Sequence, residues 1–89
     1  SASGPPGQTL HGLIRTVLAP HEEIPGQRIA LSGDDMAVDA QQATALALLV
    51  HDLATNAVKH GSLAAPQGRV LIECAAQPDA FQFVWEEQG

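Results

Sequence analysis

Aromatic side chains are scarce in this sequence. Phe, Trp and Tyr together make up 3% of the 89 residues, and tyrosine is absent. Hydrophobic residues still account for 45% of the chain, so a core must be built mainly from Ala, Leu, Val and Ile. Such side chains bury little area each, and a chain of this length forms at most one small domain of limited stability.

Basic residues are also few. Four Lys and Arg stand against ten Asp and Glu, which gives a net charge of -6. A surface that lies along DNA or RNA needs positive charge to neutralise phosphates. The charge balance therefore excludes nucleic acid as the main partner.

Cysteine and long apolar runs are the remaining shortages. The single cysteine, Cys74, excludes an internal disulfide and fits a reducing compartment. No run of about 18 apolar residues is present, and the N-terminus lacks the basic and apolar regions of a signal peptide. We therefore expect a cytoplasmic protein and no membrane contact by this segment.

We expect the chain to divide into a short linker and one partial domain. Residues 1–7 are small and turn-rich, which is typical of a flexible linker or a cloning remnant, and 8–89 form the domain. Apolar spacing predicts a helix from Gln8 to about Ala19, whose apolar stripe must pack on the rest of the chain or on a partner. Alternation predicts a short strand over 28–32.

A long helix and a hairpin follow. Asp39 is a plausible N-cap for a helix that ends near Gly61. Strands over 69–76 and 81–87 flank a turn at Pro78 and Asp79, which predicts an antiparallel hairpin. This order predicts an α+β fold, a two-layer α/β sandwich with helices on one face of a small sheet. The expected core face of the long helix carries Leu46, Leu49, Val50, Leu53, Ala57 and Val58.

The long helix also carries a polar stripe. Asp52, Asn56, Lys59 and His60 stand at i, i+4, i+7 and i+8, so they lie along one side of the helix. Polar side chains on the buried side of a helix need partners. A carboxylate, an amide and an ammonium in one column suit a cation and the phosphate oxygens around it. A nucleotide with its magnesium is the simplest ligand of that kind.

Two motifs resemble those of a known family. The segment from His51 to Leu63, HDLATNAVKHGSL, resembles the asparagine box of bacterial sensor histidine kinases, particularly the HWE branch. That branch is named for a histidine in this box, matched here by His51, and for a Trp-x-Glu motif, matched here by Trp85 and Glu87. The resemblance extends over 8–89. It implies the N-terminal part of a Bergerat-type ATP-binding domain that uses ATP and Mg²⁺.

The resemblance implies roles for the stripe. Asn56 would coordinate Mg²⁺ at the nucleotide phosphates, and Asp52 would help to hold the metal or its water, so these two would be the catalytic pair. Lys59 would approach phosphate, and His60 would line the nucleotide pocket. Magnesium keeps several waters, so one amide and one carboxylate are chemically sufficient.

The Trp-x-Glu strand is implied to serve the adenine. Glu87 would accept a hydrogen bond from the adenine amino group, and Gly89 matches the glycine that opens the first glycine-rich box. A carboxylate that reads an amino group is selective because an unpaired buried charge is costly. Trp85 would be structural support beneath the pocket.

The resemblance also implies an activity and partners. A complete kinase would transfer the γ-phosphoryl group of ATP to a histidine on a helical domain, and a response regulator would receive it. His11 and His21 match no phosphoacceptor motif, and the remaining glycine-rich boxes and the lid are absent from this sequence. We therefore expect no autophosphorylation by this segment alone. Asp52 replaces the usual Glu, and His60 replaces a common Tyr.

Other interpretations remain open. The chain could be a degenerate, non-catalytic scaffold for dimerisation or phosphotransfer, with the helix around residues 10–18 packed on a partner, as in a homodimer. The polar stripe could be a solvated helix face, and His51 a structural hydrogen-bonder. The pair His51 and Asp52 also resembles the metal dipeptide of HD-type phosphohydrolases, but no further ligands match. Cys74 is expected to be a small buried hydrophobe. The acidic pairs at 22–23 and 34–35 are expected to be solubilising charges.

Overall fold

The computed structural model of this protein describes residues 8–24 and 26–89, so the linker predicted at 1–7 lies outside the described residues. Within that part of the chain, the α-helices are α1 (Leu10–Leu18) and α2 (Ala40–His60), and the strands are β1 (Ile29–Gly33), β2 (Arg69–Gln77) and β3 (Ala80–Gln88). Short 3-10 helices follow α1 at Ala19–His21 and α2 at Ser62–Ala64. The predicted element order is therefore confirmed.

The sheet is mixed. Its strand order is β1-β2-β3, with β1 parallel to β2 and β2 antiparallel to β3. Parallel neighbours need a long crossover, which α2 and the loop after it provide, whereas the turn at Pro78 and Asp79 closes the predicted hairpin. The α+β class is confirmed, and the architecture is compatible with an α/β sandwich.

Local capping fixes both helices. Thr9 Oγ1 accepts a hydrogen bond from Gly12 N at the start of α1. Asp39 is the N-cap of α2, as predicted, and forms a reciprocal capping box with Gln42. At the other end, the Gly61 amide donates to Ala57 O over 3.0 Å.

One face of the sheet packs against the helices. Val70, Ile72 and Cys74 alternate along β2 as buried side chains, while Leu71 and Glu73 point away and are exposed. The register places Trp85 opposite Ile72 and Phe83 opposite Cys74 on the covered face. The core is completed from α1 by Leu10, Leu13, Ile14 and Leu18. The apolar stripe of α1 is therefore covered by this chain itself.

The core face of α2 differs in part from the prediction. Leu46, Val50 and Ala57 are buried as expected and Leu53 is half-buried. Leu49 and Val58 were wrongly assigned, because they are 49% and 41% exposed. Alanines take their place: Ala54 is fully buried, and Ala43 and Ala47 pack against the core.

Candidate functional site

The polar stripe of α2 lies on an exposed flank of the helix. Asp52, Asn56, Lys59 and His60 are all exposed, so the expectation of a buried polar stripe is wrong. The reason is the rotation of the helix, whose core side is occupied by Leu46, Val50, Ala54 and Ala57. Within the described residues, the side chains of Asn56, Lys59 and His60 make no hydrogen bond.

Asp52 and His51 form only a loose pair. His51 Nδ1 lies 3.8 Å from Asp52 Oδ1, and both side chains are mostly exposed. The His51 ring also meets the His21 ring edge to face, with centroids 6.3 Å apart. Asn56 follows Asp52 one helical turn later on the same side of α2.

Glu87 belongs to β3. Its side chain lies on the face of the sheet that the helices cover, near the C-terminal end of α2. It stands opposite Val70 in the register. Its Oε1 accepts a hydrogen bond from the Ser62 amide over 2.9 Å, and its Oε2 accepts one from Trp85 Nε1 over 3.1 Å. The Ser62 bond, aided by the Trp85 bond, lowers the pKa of Glu87 despite some opposing desolvation. The side chain is therefore held as an anionic acceptor.

Gly61 is required by that contact. A Cβ at Gly61 would collide with Glu87 Oε1 and would lie 3.0 Å from the Ala57 Cα. The backbone of Gly61 has φ of −116°, so any residue could adopt its conformation. Glycine at this helix end therefore serves the close approach of a carboxylate and not a left-handed turn.

Arg28 holds the loop that follows α2, a role that the sequence analysis did not predict. Its Nε donates to Gly68 O over 3.0 Å, and Nη2 donates to Leu63 O over 3.4 Å and to Ala65 O. Arg28 directly precedes β1 and is half-buried, and no local pattern in the sequence indicates its partners. The planar guanidinium suits such a fork of carbonyl acceptors.

Three acidic side chains taken for solubilising charges instead accept backbone hydrogen bonds. Asp35 Oδ1 accepts from His11 N and Met36 N, both over 2.9 Å, and the His11 bond is the main cause that lowers the pKa of Asp35. Asp34 Oδ2 accepts from Ala76 N over 2.9 Å. Glu22 Oε2 accepts from Gly26 N and Ile29 N. These carboxylates hold loops against neighbouring helices and strands. The prediction that they are merely solubilising charges was therefore wrong for these three residues.

Cys74 is a buried free thiol, as predicted. It is 3% exposed, and burial, together with the charges of Asp35 and Asp34, raises the pKa of the thiol. A thiol in this state is a poor nucleophile. No cluster of three or more His, Cys, Asp or Glu side chains able to hold a metal occurs among the described residues.

Comparison with known proteins relates the chain to histidine kinases. It is 38% identical over 77 residues to blue-light-activated histidine kinase 1 of Erythrobacter litoralis, covering 86% of this chain and 21% of that protein. It is 36% identical over 83 residues to the blue-light-activated histidine kinase of Rhizobium johnstonii, covering 91% and 23%. The corresponding kinase of Brucella ovis is 35% identical over 85 residues, covering 91% and 17%.

These similarities support a relationship with the sensor histidine kinases, and they span nearly the whole chain. The chain itself spans about one fifth of the length of these curated relatives. No protein-family model matches it. Within the residues that the structure describes, no helix is long and apolar enough to cross a membrane.

Proposed function

We propose that the chain is the N-terminal part of the ATP-binding domain of an HWE-type sensor histidine kinase, acting with Mg²⁺ in the bacterial cytoplasm. The proposal rests on the hydrogen bond between Ser62 and Glu87, which are 25 residues apart in sequence. That bond joins the end of the asparagine box to the Trp-x-Glu strand. Two motifs matched separately in the sequence thus meet at one end of α2, as a single nucleotide site requires.

The oxygen donors on α2 fit a magnesium ion shared with phosphate. Asn56 and Asp52 supply an amide and a carboxylate oxygen one turn apart, and hard oxygen ligands of this kind suit Mg²⁺. Lys59 follows on the same flank, where its ammonium would meet phosphate oxygens. When bound, ATP with Mg²⁺ would supply the phosphoryl group and the charge that neutralises it.

The residues around Glu87 fit the adenine. The carboxylate already accepts two N–H bonds, and each of its oxygens keeps a further lone pair for an amino group. The Ser62 hydroxyl is buried beside the same carboxylate and contributes to lowering the pKa of Glu87. His60 precedes Ser62 in the sequence, and Gly89 follows Glu87. Both residues are exposed, and we assign them to the nucleotide pocket.

In the whole kinase, this segment would act with a helical domain that bears the phosphoacceptor histidine, and a response regulator would receive the phosphoryl group. The competing hypothesis of a non-catalytic scaffold placed α1 on a partner chain. In this structure α1 buries Leu10, Ile14 and Leu18 within its own chain, which removes that surface from a homodimer interface. The scaffold hypothesis then depends on an absence of nucleotide binding.

Calorimetric titration with ADP, in Mg²⁺ and in EDTA, tests the proposal. We expect Mg²⁺-dependent binding by the 89-residue chain and loss of the Mg²⁺ dependence in Asn56→Ala. Gln41→Ala is the matched control, since it removes an exposed amide from the same helix about 22 Å away along the axis. Heat release that is identical in Mg²⁺ and EDTA, or absent altogether, would contradict the proposal and favour the scaffold.

A further inference from the structure

We infer that Trp85 is a positioning residue, whose indole N–H, together with the Ser62 amide, orients the Glu87 carboxylate for a nucleobase amino group. This inference rests on the proposed function. It differs from the expectation of plain structural support, because it assigns the role to one donor atom.

The geometry of β3 brings the two side chains together. Residues i and i+2 of a strand lie on the same face, so Trp85 and Glu87 both face α2. The Trp85 ring is half-buried and packs against the core, which fixes the indole plane. Its Nε1 then points along the strand to Glu87 Oε2, 3.1 Å away.

The two donors hold different oxygens of the carboxylate. Ser62 N bonds Oε1 and Trp85 Nε1 bonds Oε2. A single contact would leave a long, exposed Glu side chain free to rotate, whereas two contacts define its plane. An indole N–H can only donate, so it favours the ionised acceptor form of its partner.

An oriented, ionised acceptor discriminates between bases. Adenine presents an amino group at its six-position, which would donate to the carboxylate, whereas guanine presents a carbonyl oxygen there, which would be repelled. Loss of the Trp85 donor should therefore affect selectivity between ADP and GDP, and not only the stability of the fold.

The indole resonance of the only tryptophan reports on this bond directly in the 89-residue chain. In a pH titration without nucleotide, we expect the Nε1–H signal to shift with the midpoint of the Glu87 carboxyl. Glu87→Gln should abolish that shift. Glu86→Gln is the matched control, because Glu86 is the adjacent carboxylate on the opposite face of β3 and bonds Gln88 instead.

A second measurement tests the consequence for binding. Trp85→Phe keeps a ring in the core and removes the donor, so the pKa of Glu87 should rise toward its ordinary value. ADP should bind about three- to tenfold more weakly, with a smaller preference over GDP.

Each result of these two measurements either supports or overturns the inference. An indole signal that ignores the Glu87 titration overturns the inference, as does unchanged ADP affinity and selectivity in Trp85→Phe. The indole signal could follow the Glu87 titration in a wild-type chain that binds no ADP. That result would show that the Trp85–Glu87 hydrogen bond exists, but it would contradict the proposed function and the role of the bond in nucleotide binding. Coupling together with reduced selectivity supports both.

Discussion

The two halves of the candidate site are built differently. At the Glu87 end, the carboxylate is held by Ser62 and Trp85, and Arg28 holds the loop behind it. Along the flank of α2, Asn56 and Lys59 are exposed and make no side-chain hydrogen bond within the described residues. The side chains assigned to the base are therefore already held in place by the fold. Those assigned to phosphate and metal would become ordered only when the ligand binds. Changes at the first end should alter stability without ligand, and changes at the second should matter only with it.

The largest effect is expected for Gly61→Ala. A methyl group there would push the Glu87 carboxylate away from the Ser62 amide and would lie 3.0 Å from the Ala57 Cα, which should together cost about 1–3 kcal/mol of unfolding free energy. Urea denaturation measures this loss.

A double-mutant cycle shows whether Glu87 is the cause. In a Glu87→Ala background, Gly61→Ala should cost less, since one of its two collisions is gone. Equal costs in both backgrounds would mean that the carboxylate does not lie against Gly61.

Arg28→Lys should have the next largest effect. The charge stays, but the fork that meets Gly68 O and the neighbouring carbonyls is lost, so about 1–2 kcal/mol of stability should disappear. Arg69→Lys is the control, because Arg69 is exposed on β2 and should change stability by less than about 0.5 kcal/mol. A similar loss in both variants would contradict the assigned role of Arg28.

The pH dependence of stability should show a smaller effect of Glu87. Its pKa is lowered in the folded state, so its contribution is present above the ordinary pKa of 4.5 and is lost as pH falls through the folded value. Between pH 6 and pH 3, the wild type should lose a few tenths of a kcal/mol more than Glu87→Gln, since the group is exposed. Asp35 adds pH dependence of the same sign to both proteins, so the difference isolates Glu87.

The smallest effect on stability is expected for Asn56→Ala without ligand. Asn56 is exposed in the interior of α2, and alanine is the better helix former, so stability should be unchanged or raised by up to about 0.7 kcal/mol. Thermal unfolding without nucleotide checks this. A loss above 1 kcal/mol would show that Asn56 has a structural partner, and the flank would no longer be the open half of the site.

Local signals account for what the sequence predicted well. Asp39 and Gly61 delimit α2 as expected because capping depends on neighbouring residues, and the hairpin follows from alternation around Pro78 and Asp79. The asparagine box and the Trp-x-Glu motif define the candidate site, and the roles of its residues stay predictions.

Contacts between residues far apart in the sequence could not be predicted from the sequence. The bonds of Glu87 to Ser62, Arg28 to Gly68 and Asp35 to His11 join residues 24 to 40 positions apart, and no local pattern specifies them. The core face of α2 was also displaced toward Leu49 and Val58, because hydrophobicity alone undervalues Ala54, whose small side chain is fully buried.

The thermal midpoint of the 89-residue chain, with and without Mg²⁺ and ADP, tests the central claim most directly when repeated for Asn56→Ala. Ligand at about 100 times its dissociation constant should stabilise the wild type by about 2.7 kcal/mol, a shift of about 10–20 °C in the thermal midpoint. Asn56→Ala should gain little or nothing from Mg²⁺ and ADP over its own thermal midpoint without ligand. An equal shift in both proteins, or no shift in the wild type, would contradict the assignment of a nucleotide site to α2 and Glu87.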